Sequence, residues 1–278
     1  WSQPRHVFQR FIRRVWVVSD RDVVTLRLYK QSSTFANFSN LFAVYLPNTY
    51  YRHVTRRYTR KFRGGRNLQL DIIKDQAEVI DRVKSDPVVS SIHLVLSAQL
   101  DESLTYHSKE HSDQVTAMAI ALGSVDRLDD RSLLLLGIGA AYHDAGFIEH
   151  RADHELVSAK LAEEAMSTDG RFSKEEIRLT RQMILDTKLE PTGPTHKVNT
   201  RLSPWLIDAD LANLGRADFL EQTKLLADEL DVPMDLMLNE SLALMNRHVW
   251  QSPAGQSTLG NQKDQNKSDL INMLNGAL

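Results

Sequence analysis

One stretch constrains this chain more than any other: the residues from Leu133 to Tyr142 are apolar on every side. A helix that is apolar all round lies either in the centre of a protein or in a membrane. This run has about half of the ~20 residues that a bilayer-spanning helix needs. It therefore predicts a buried central helix, which ends at the polar pair His143-Asp144.

Most of the chain after residue 87 repeats apolar side chains at helical spacing, as Val115, Met118 and Leu122 do. We therefore predict an all-α fold, with a capping box at Ser173 and Glu176. A loop is expected over 188–201, a polar tail over 252–266 and a short closing helix over 270–278. The other helices are expected near residues 68–83, 133–142, 155–166, 174–187, 203–214, 218–230 and 234–248.

The charge is distributed unevenly along the chain. Residues 1–66 contain fourteen Lys and Arg but only two acids, whereas the remainder is acidic. Such asymmetry indicates regions with different roles. We divide the chain into a basic N-terminal region over 1–66, a helical linker over 67–87 and a helical domain over 88–278. The first region has an ill-defined α or α+β fold, with one strand predicted over Val23–Tyr29.

The basic region has several interpretations. Its cations are interleaved with Tyr50, Tyr51 and Tyr58, a composition that could bind nucleic acid or an anionic membrane. Alternatively, it is a solvated face, a face docked on the acidic remainder, or a stretch that is not a natural folded domain. We favour these three interpretations together over nucleic-acid binding.

The chain contains no cysteine, which excludes disulfides, thiolate metal sites and cysteine nucleophiles. Any metal must therefore bind through nitrogen and oxygen. The first forty residues contain no apolar run long enough for an export signal, and the chain begins at Trp1, as a fragment or a processed product would. We expect a cytoplasmic protein without a membrane span.

Four short motifs in the helical domain contain residues that bind metals. They are His107 with His111, His143-Asp144, His154-Glu155, and Asp208 with Asp210. Imidazole nitrogen and carboxylate oxygen together suit a hard or borderline divalent cation. Residues four apart share a helix face, so His107 and His111 are expected on one inward face.

Each motif alone is a weak signal. A single histidine on a helix face is more often structural than a ligand, and Asp208 and Asp210 could be helix caps or solvated acids. His154-Glu155 could line a pocket or hold a second metal, but Glu155 also suits the start of a helix. The order of the motifs is more informative, because a His-Asp pair closes a wholly apolar helix.

The segments "YHSKEHSDQV", "LLLLGIGAAYHDAGF", "HELVSAKLAEEAM" and "LIDADLANLG" follow one another as in metal-dependent phosphohydrolases of the HD superfamily. The chain resembles that family over roughly residues 100–250, and the tail "RHVWQSPAGQSTLGNQKDQN" is also similar. The resemblance implies an HD-type helical bundle. It also implies a metal held by His111, His143, Asp144 and Asp210, with Asp208 as the competitor for the last position.

The resemblance assigns the catalytic roles to His107 and Asp144. The spacing of His107 and His111 resembles that in cyclic-nucleotide phosphodiesterases, where the first histidine protonates the leaving oxygen. Imidazole suits this role because its pKa lies near neutrality. A structural role for His107 is an equal alternative. Thr187 stands where two-metal relatives carry a further histidine, so we expect a single ion.

The resemblance thus implies hydrolysis of a small-molecule phosphoester or phosphodiester, of a nucleotide or cyclic nucleotide, by attack of a metal-bound water. The divalent cation could be Mn, Mg, Fe, Ni, Co or Zn. The alternative is a non-catalytic regulatory protein that uses the HD scaffold to bind nucleotide, or nucleic acid through the basic region.

Overall fold

A computed structural model describes residues 15–20, 23–28 and 68–276. The chain separates into two compact units, residues 1–63 and 64–278. In the first unit, strand β1 (Val15–Asp20) pairs antiparallel with strand β2 (Val23–Leu28), so that Val15 lies opposite Leu28. The predicted strand is confirmed over Val23–Leu28, while most of the tyrosine-rich basic stretch lies outside the described residues.

Every regular element among the described residues of the second unit is a helix, which confirms the predicted all-α class. Within 68–276, no helix is both long and apolar enough to cross a membrane. Short 3₁₀ helices occupy Ala145–Ile148 and Leu211–Gly215. The α-helices are α1 (Leu68–Lys84), α2 (Pro87–Gln99), α3 (Lys109–Val125), α4 (Asp130–Tyr142), α5 (His154–Asp169), α6 (Lys174–Leu185), α7 (Ser203–Asp210), α8 (Phe219–Leu230), α9 (Met234–Arg247) and α10 (Pro253–Gly276).

Helix α4 lies at the centre of this unit, as its apolar sequence predicts. Every residue from 135 to 142 is buried, and the helix packs against α1, α2, α3, α5, α6 and α7. Leu135, Leu136 and Ile138 are among the largest fully buried side chains. At ~1.5–3 kcal/mol for each large apolar side chain removed from water, this helix is a major source of stability. Its C-terminal end therefore holds His143 in a rigid position.

Local capping signals fix several helix ends. Asp86 caps α2 by accepting a hydrogen bond from the Val88 amide, which explains why the helical stretch is interrupted before Pro87. Ser173 and Glu176 form the predicted capping box at the start of α6.

The predicted structure of the tail was wrong. Residues 252–266 were expected to be a polar segment before a short closing helix, yet α10 is one continuous helix from Pro253 to Gly276. Several of its buried positions are polar or small, among them Gly255, Thr258, Lys263 and Asn266. An amphipathic pattern based on apolar residues therefore misses the buried face of this helix.

Candidate metal centre

His111 reaches the interior from the first turn of α3. Ser108 caps this helix and accepts a hydrogen bond from the His111 amide at 3.3 Å. The imidazole of His111 is buried on the same side of the helix as Val115. The cap excludes His107 from the helix, so the expectation that His107 and His111 share a helix face was wrong. Their ring centroids are nevertheless only 6.0 Å apart.

His143 follows α4 and is completely buried. Its Nδ1 lies 2.8 Å from the carbonyl oxygen of Ala140 and donates a hydrogen bond to it. In the neutral imidazole this leaves Nε2 without a proton, free to bind a cation. Asp144 comes next in the chain and is also buried. The end of the apolar helix thus directs one nitrogen and one carboxylate into the same place.

The two aspartates of α7 have different environments. Asp208 is fully buried and accepts hydrogen bonds from the amides of Gln251 and Ser252 and from the Ser252 hydroxyl. Asp210 instead faces His111 and His143 at the end of the helix. The structure therefore brings Asp210, and not its competitor Asp208, to the histidines.

Four side chains from three distant parts of the sequence converge at this point. Oδ2 of Asp144 lies 3.5 Å from Nε2 of His111 and 3.1 Å from Nε2 of His143. Oδ1 of Asp210 lies 3.4 Å and 3.3 Å from the same two nitrogens. Two atoms that each lie about 2.1 Å from a shared cation are about 3.0 Å apart at a right angle and about 3.4 Å apart at the tetrahedral angle. Each of these four separations suits two ligands of one ion, and the residues whose ligand atoms all lie within 4.8 Å of one another are His111, His143 and Asp210, without Asp144.

The polar atoms that converge here are buried and unpartnered. Nε2 of His111, Nε2 of His143 and Oδ2 of Asp144 make no hydrogen bond, although they lie within ion-pair distance of one another. Buried polar atoms are almost always hydrogen-bonded, so three unpartnered atoms in one place need a further partner. His111, His143 and Asp210 each offer a ligand atom within 4.8 Å of the others, and this cluster could hold a metal ion.

Electrostatics within the cluster favour a positive charge. Burial disfavours the charged form of His143, but Asp144 and Asp210 outweigh burial and raise the pKa of His143 well above its ordinary value. Burial likewise opposes ionisation of both aspartates, yet His143 holds the pKa of each well below its usual range. The charges that attract a proton to His143 would also attract a divalent cation, and the two compete for Nε2.

His107 lies beside the cluster and is held by a residue that sequence reasoning missed. Nδ1 of His107 lies 2.5 Å from Oε1 of Glu229, whose other oxygen accepts from the amides of Tyr106 and His107. Arg151 donates a further hydrogen bond to Glu229 at 2.9 Å. Burial opposes ionisation of Glu229, but its bonds with His107 lower the pKa of Glu229 to about 2. No local signal in α8 distinguishes this glutamate from its exposed neighbours.

His154 contacts the other carboxylate oxygen of Asp144. Its Nε2 lies 3.2 Å from Oδ1 of Asp144, and its Nδ1 is bonded to the Arg151 carbonyl at 3.0 Å. The ring of Phe147 contacts both histidines, with centroids 4.2 Å from His154 and 4.3 Å from His107, and the two histidine rings are 6.5 Å apart. Glu155 is buried in the first turn of α5, and its Oε1 lies 3.8 Å from His154. His154 therefore lines the candidate site.

A close backbone contact places α5 next to His143 and Asp144. Gly146 donates its amide hydrogen to Oγ of Ser158 at 2.8 Å. A Cβ atom at Gly146 would overlap the carbonyl of His154, so only glycine permits this approach.

His196 is a second residue that sequence reasoning missed. It lies in the loop 188–201 and is buried, and its Nε2 has no hydrogen-bond partner. Burial lowers the pKa of His196, while the nearby carboxylate of Asp210 opposes this effect. Thr187, at the position considered for an extra ligand, donates its hydroxyl hydrogen to the Ile184 carbonyl at 2.8 Å.

Comparison with known proteins gives no further guide to this site, because no family model and no curated protein matches the chain.

Proposed function

We propose that this chain is a metal-dependent phosphohydrolase that acts on a phosphoester or phosphodiester, with a nucleotide or cyclic nucleotide as the preferred substrate class. One observation carries the proposal: unpartnered, buried donor atoms of His111, His143 and Asp144 converge with Asp210. The order of these residues also resembles the HD superfamily.

His111, His143, Asp144 and Asp210 would hold the cation. Such an ion, when bound, supplies Lewis acidity toward a phosphoryl oxygen and makes water nucleophilic near neutral pH. The set contains two imidazoles and two carboxylates, which nearly neutralise a divalent charge. Mixed nitrogen and oxygen ligands admit manganese, iron, cobalt, nickel, zinc or magnesium.

His107 is suited to hold a proton near the leaving group. Glu229 accepts the Nδ1 hydrogen of His107, which fixes the orientation of the ring and leaves Nε2 for the substrate. Phe147 stacks on the His107 ring at 4.3 Å and restricts its movement. In this proposal Nε2 of His107 donates its proton to the departing oxygen, and Glu229 stabilises the charged imidazole during that exchange.

The test combines metal analysis with turnover. The purified full chain should contain a transition metal or bind one after chelation and metal return, and it should then hydrolyse at least one compound in a panel of phosphomonoesters, nucleotides and cyclic nucleotides. His143→Ala should lose both properties. His150→Ala is the matched control, because that histidine lies nearby but is exposed.

Full turnover by His143→Ala would rule out this site. Metal bound without turnover on any phosphoester would instead favour the non-catalytic binding protein.

A further inference from the structure

A second group of buried polar side chains lies where α9 ends and packs against α10. We call His196, His248, Trp250 and Lys263 the basic cluster. Each of the four is more than nine-tenths buried. Among the described residues, no carboxylate forms an ion pair with any of the three basic members. Lys263 is the fixed cation of this cluster, and a buried ammonium is normally paired, so its position needs an explanation.

Hydrogen bonds orient the cluster. Nζ of Lys263 donates to the carbonyl of His248 at 2.6 Å and lies 2.9 Å from Nδ1 of the same residue. Because Nδ1 accepts this bond, the proton of the neutral His248 imidazole resides on Nε2. Burial and the charge of Lys263 lower the pKa of His248 to about 3, which keeps the ring neutral. His248 therefore presents a buried N–H donor.

That donor and a neighbouring one lack acceptors. Neither Nε2 of His248 nor Nε1 of Trp250 makes a hydrogen bond. The two rings meet edge to face at 4.4 Å, and Nζ of Lys263 lies 5.8 Å from the Trp250 ring centroid. Two N–H groups without acceptors are thus grouped with an ammonium that has no carboxylate within ion-pair distance among the described residues. Burial lowers the pKa of Lys263, and the more distant carboxylates of Asp264 and Asp208 oppose this effect. This chemistry suits an oxyanion, and the Lys263 charge makes it unsuitable for a metal ion.

Two anchors place the basic cluster next to the candidate metal centre. Asp208 binds the amides of Gln251 and Ser252, and Asp208 precedes the proposed ligand Asp210 by only two residues. Arg247 donates hydrogen bonds to the carbonyls of Glu190 and Gly193, which fix the loop that carries His196. His196 lies near enough to His248 to affect its protonation. His196 lies near enough to Asp210 for that carboxylate to affect its protonation.

We propose that the basic cluster binds a phosphate-sized oxyanion, namely the second phosphate of a substrate that carries two phosphate groups, as a nucleoside diphosphate does. The assignment to a substrate's second phosphate rests on the proposed function, because it requires a reacting phosphoester at the metal centre. Binding of an oxyanion depends on the basic cluster alone.

The indole of Trp250 allows a direct test. The full chain is labelled with ¹⁵N-tryptophan and freed of metal by a chelator, and its indole N–H signals are recorded by NMR. Inorganic phosphate is titrated in, and a parallel titration with sodium chloride of equal ionic strength is the control. The Trp250 indole signal, identified with Trp250→Phe, should shift and saturate. The Trp205 signal is the internal control, because its Nε1 already donates to Asp126 at 2.9 Å, and it should stay in place.

Lys263→Met should weaken phosphate binding by at least about tenfold, since it removes the only fixed cation of the cluster. Lys160→Met is the matched control, because Lys160 lies on the surface of α5 with a side chain that is 75% exposed. An unchanged Trp205 signal in Lys263→Met shows that the variant is folded. The proposal is overturned if phosphate does not shift the Trp250 indole signal of the unmodified chain, or if chloride shifts it by the same amount.

The experiment separates this proposal from the proposed function, because the titration needs neither metal nor turnover. If the chain hydrolyses phosphoesters, Lys263→Met should raise the KM for a nucleoside diphosphate about tenfold and leave the KM for p-nitrophenyl phosphate unchanged. An equal rise in KM for both substrates would contradict the assignment to a second phosphate.

Discussion

Helix α7 carries two aspartates in two contrasting regions of the molecule. Asp208 accepts three hydrogen bonds of 2.6 to 2.8 Å from the segment that leads into α10. Asp210, two residues later, faces the imidazoles of His111 and His143. Both are aspartates near the end of one helix, so composition does not separate them, although Asp208 is fully buried and 19% of the Asp210 side chain is exposed. What separates them is whether the protein itself supplies hydrogen-bond donors.

Asp186 belongs with Asp208 in this comparison. It accepts hydrogen bonds from the amide and side chain of Asn199 and from the Ser203 hydroxyl, and so holds the end of the loop before α7. Saturated carboxylates of this kind stabilise the fold. Carboxylates that face unpartnered imidazole nitrogens, such as Asp144, remain available to an ion.

The largest expected effect comes from Asp210→Asn. Loss of the negative charge should abolish stable metal binding and reduce phosphohydrolase turnover on the order of a thousandfold, because a metal supplies several kcal/mol of transition-state stabilisation. The free energy of unfolding without metal should fall, because Asp210 then no longer supports the charge of buried His143. Elemental analysis, kinetics and urea denaturation measure these three quantities. Retained metal and turnover would contradict the assignment of Asp210.

Asp208→Ala should reduce stability and leave metal binding intact. It leaves two backbone amides and the Ser252 hydroxyl without their acceptor, and we expect a loss of about 3 kcal/mol in the free energy of unfolding. Urea denaturation without metal measures this loss. Metal bound per folded molecule should be unchanged, so a variant that folds normally but fails to bind metal would invalidate the comparison.

Glu229→Gln should lower kcat about tenfold with little change in KM. The amide retains the shape of the carboxylate but stabilises a charged His107 less well. The dependence of kcat on pH should change in the same variant, whereas a purely structural role for Glu229 would leave that profile intact. An unaltered kcat and pH profile would remove Glu229 from the proposed mechanism.

The smallest expected effect concerns acid stability. The pKa of Glu229 falls from 4.5 to about 2 on folding, so its contribution is fully present above pH 4.5 and is lost as the pH falls toward 2. Glu229→Gln should therefore flatten the decline in the free energy of unfolding over this interval, by about 1–2 kcal/mol. Denaturation at several pH values checks this, and identical slopes in the two proteins would refute it.

The features that sequence could predict are those set by local pattern. The apolar run of α4 predicts a buried helix, and it leads directly to His143 and Asp144. His111 is recognisable because apolar residues follow it at helical spacing. Ser173 and Glu176 are three residues apart, so their capping box is visible without any tertiary information.

The features that sequence missed depend on distant contacts. Glu229 meets His107 across 122 positions of the chain, and nothing near either residue indicates the pairing. His196 lies in a loop that contains prolines and glycine, where no periodicity reveals its burial. The buried face of α10 is partly polar, and these residues meet other polar groups, as when Asn266 donates to the carbonyls of Leu214 and Arg216.

The contact at Gly146 limits how far the backbone beside the candidate centre can move. Main chain meets main chain at this point, and main chain cannot rotate out of the way as a side chain can. The backbone spacing between Gly146 and His154 therefore cannot change by side-chain repacking, and a shift of the start of α5 would be needed. A ligand of the proposed metal centre would meet this fixed main chain on that side, so a bulky group would have to be accommodated elsewhere.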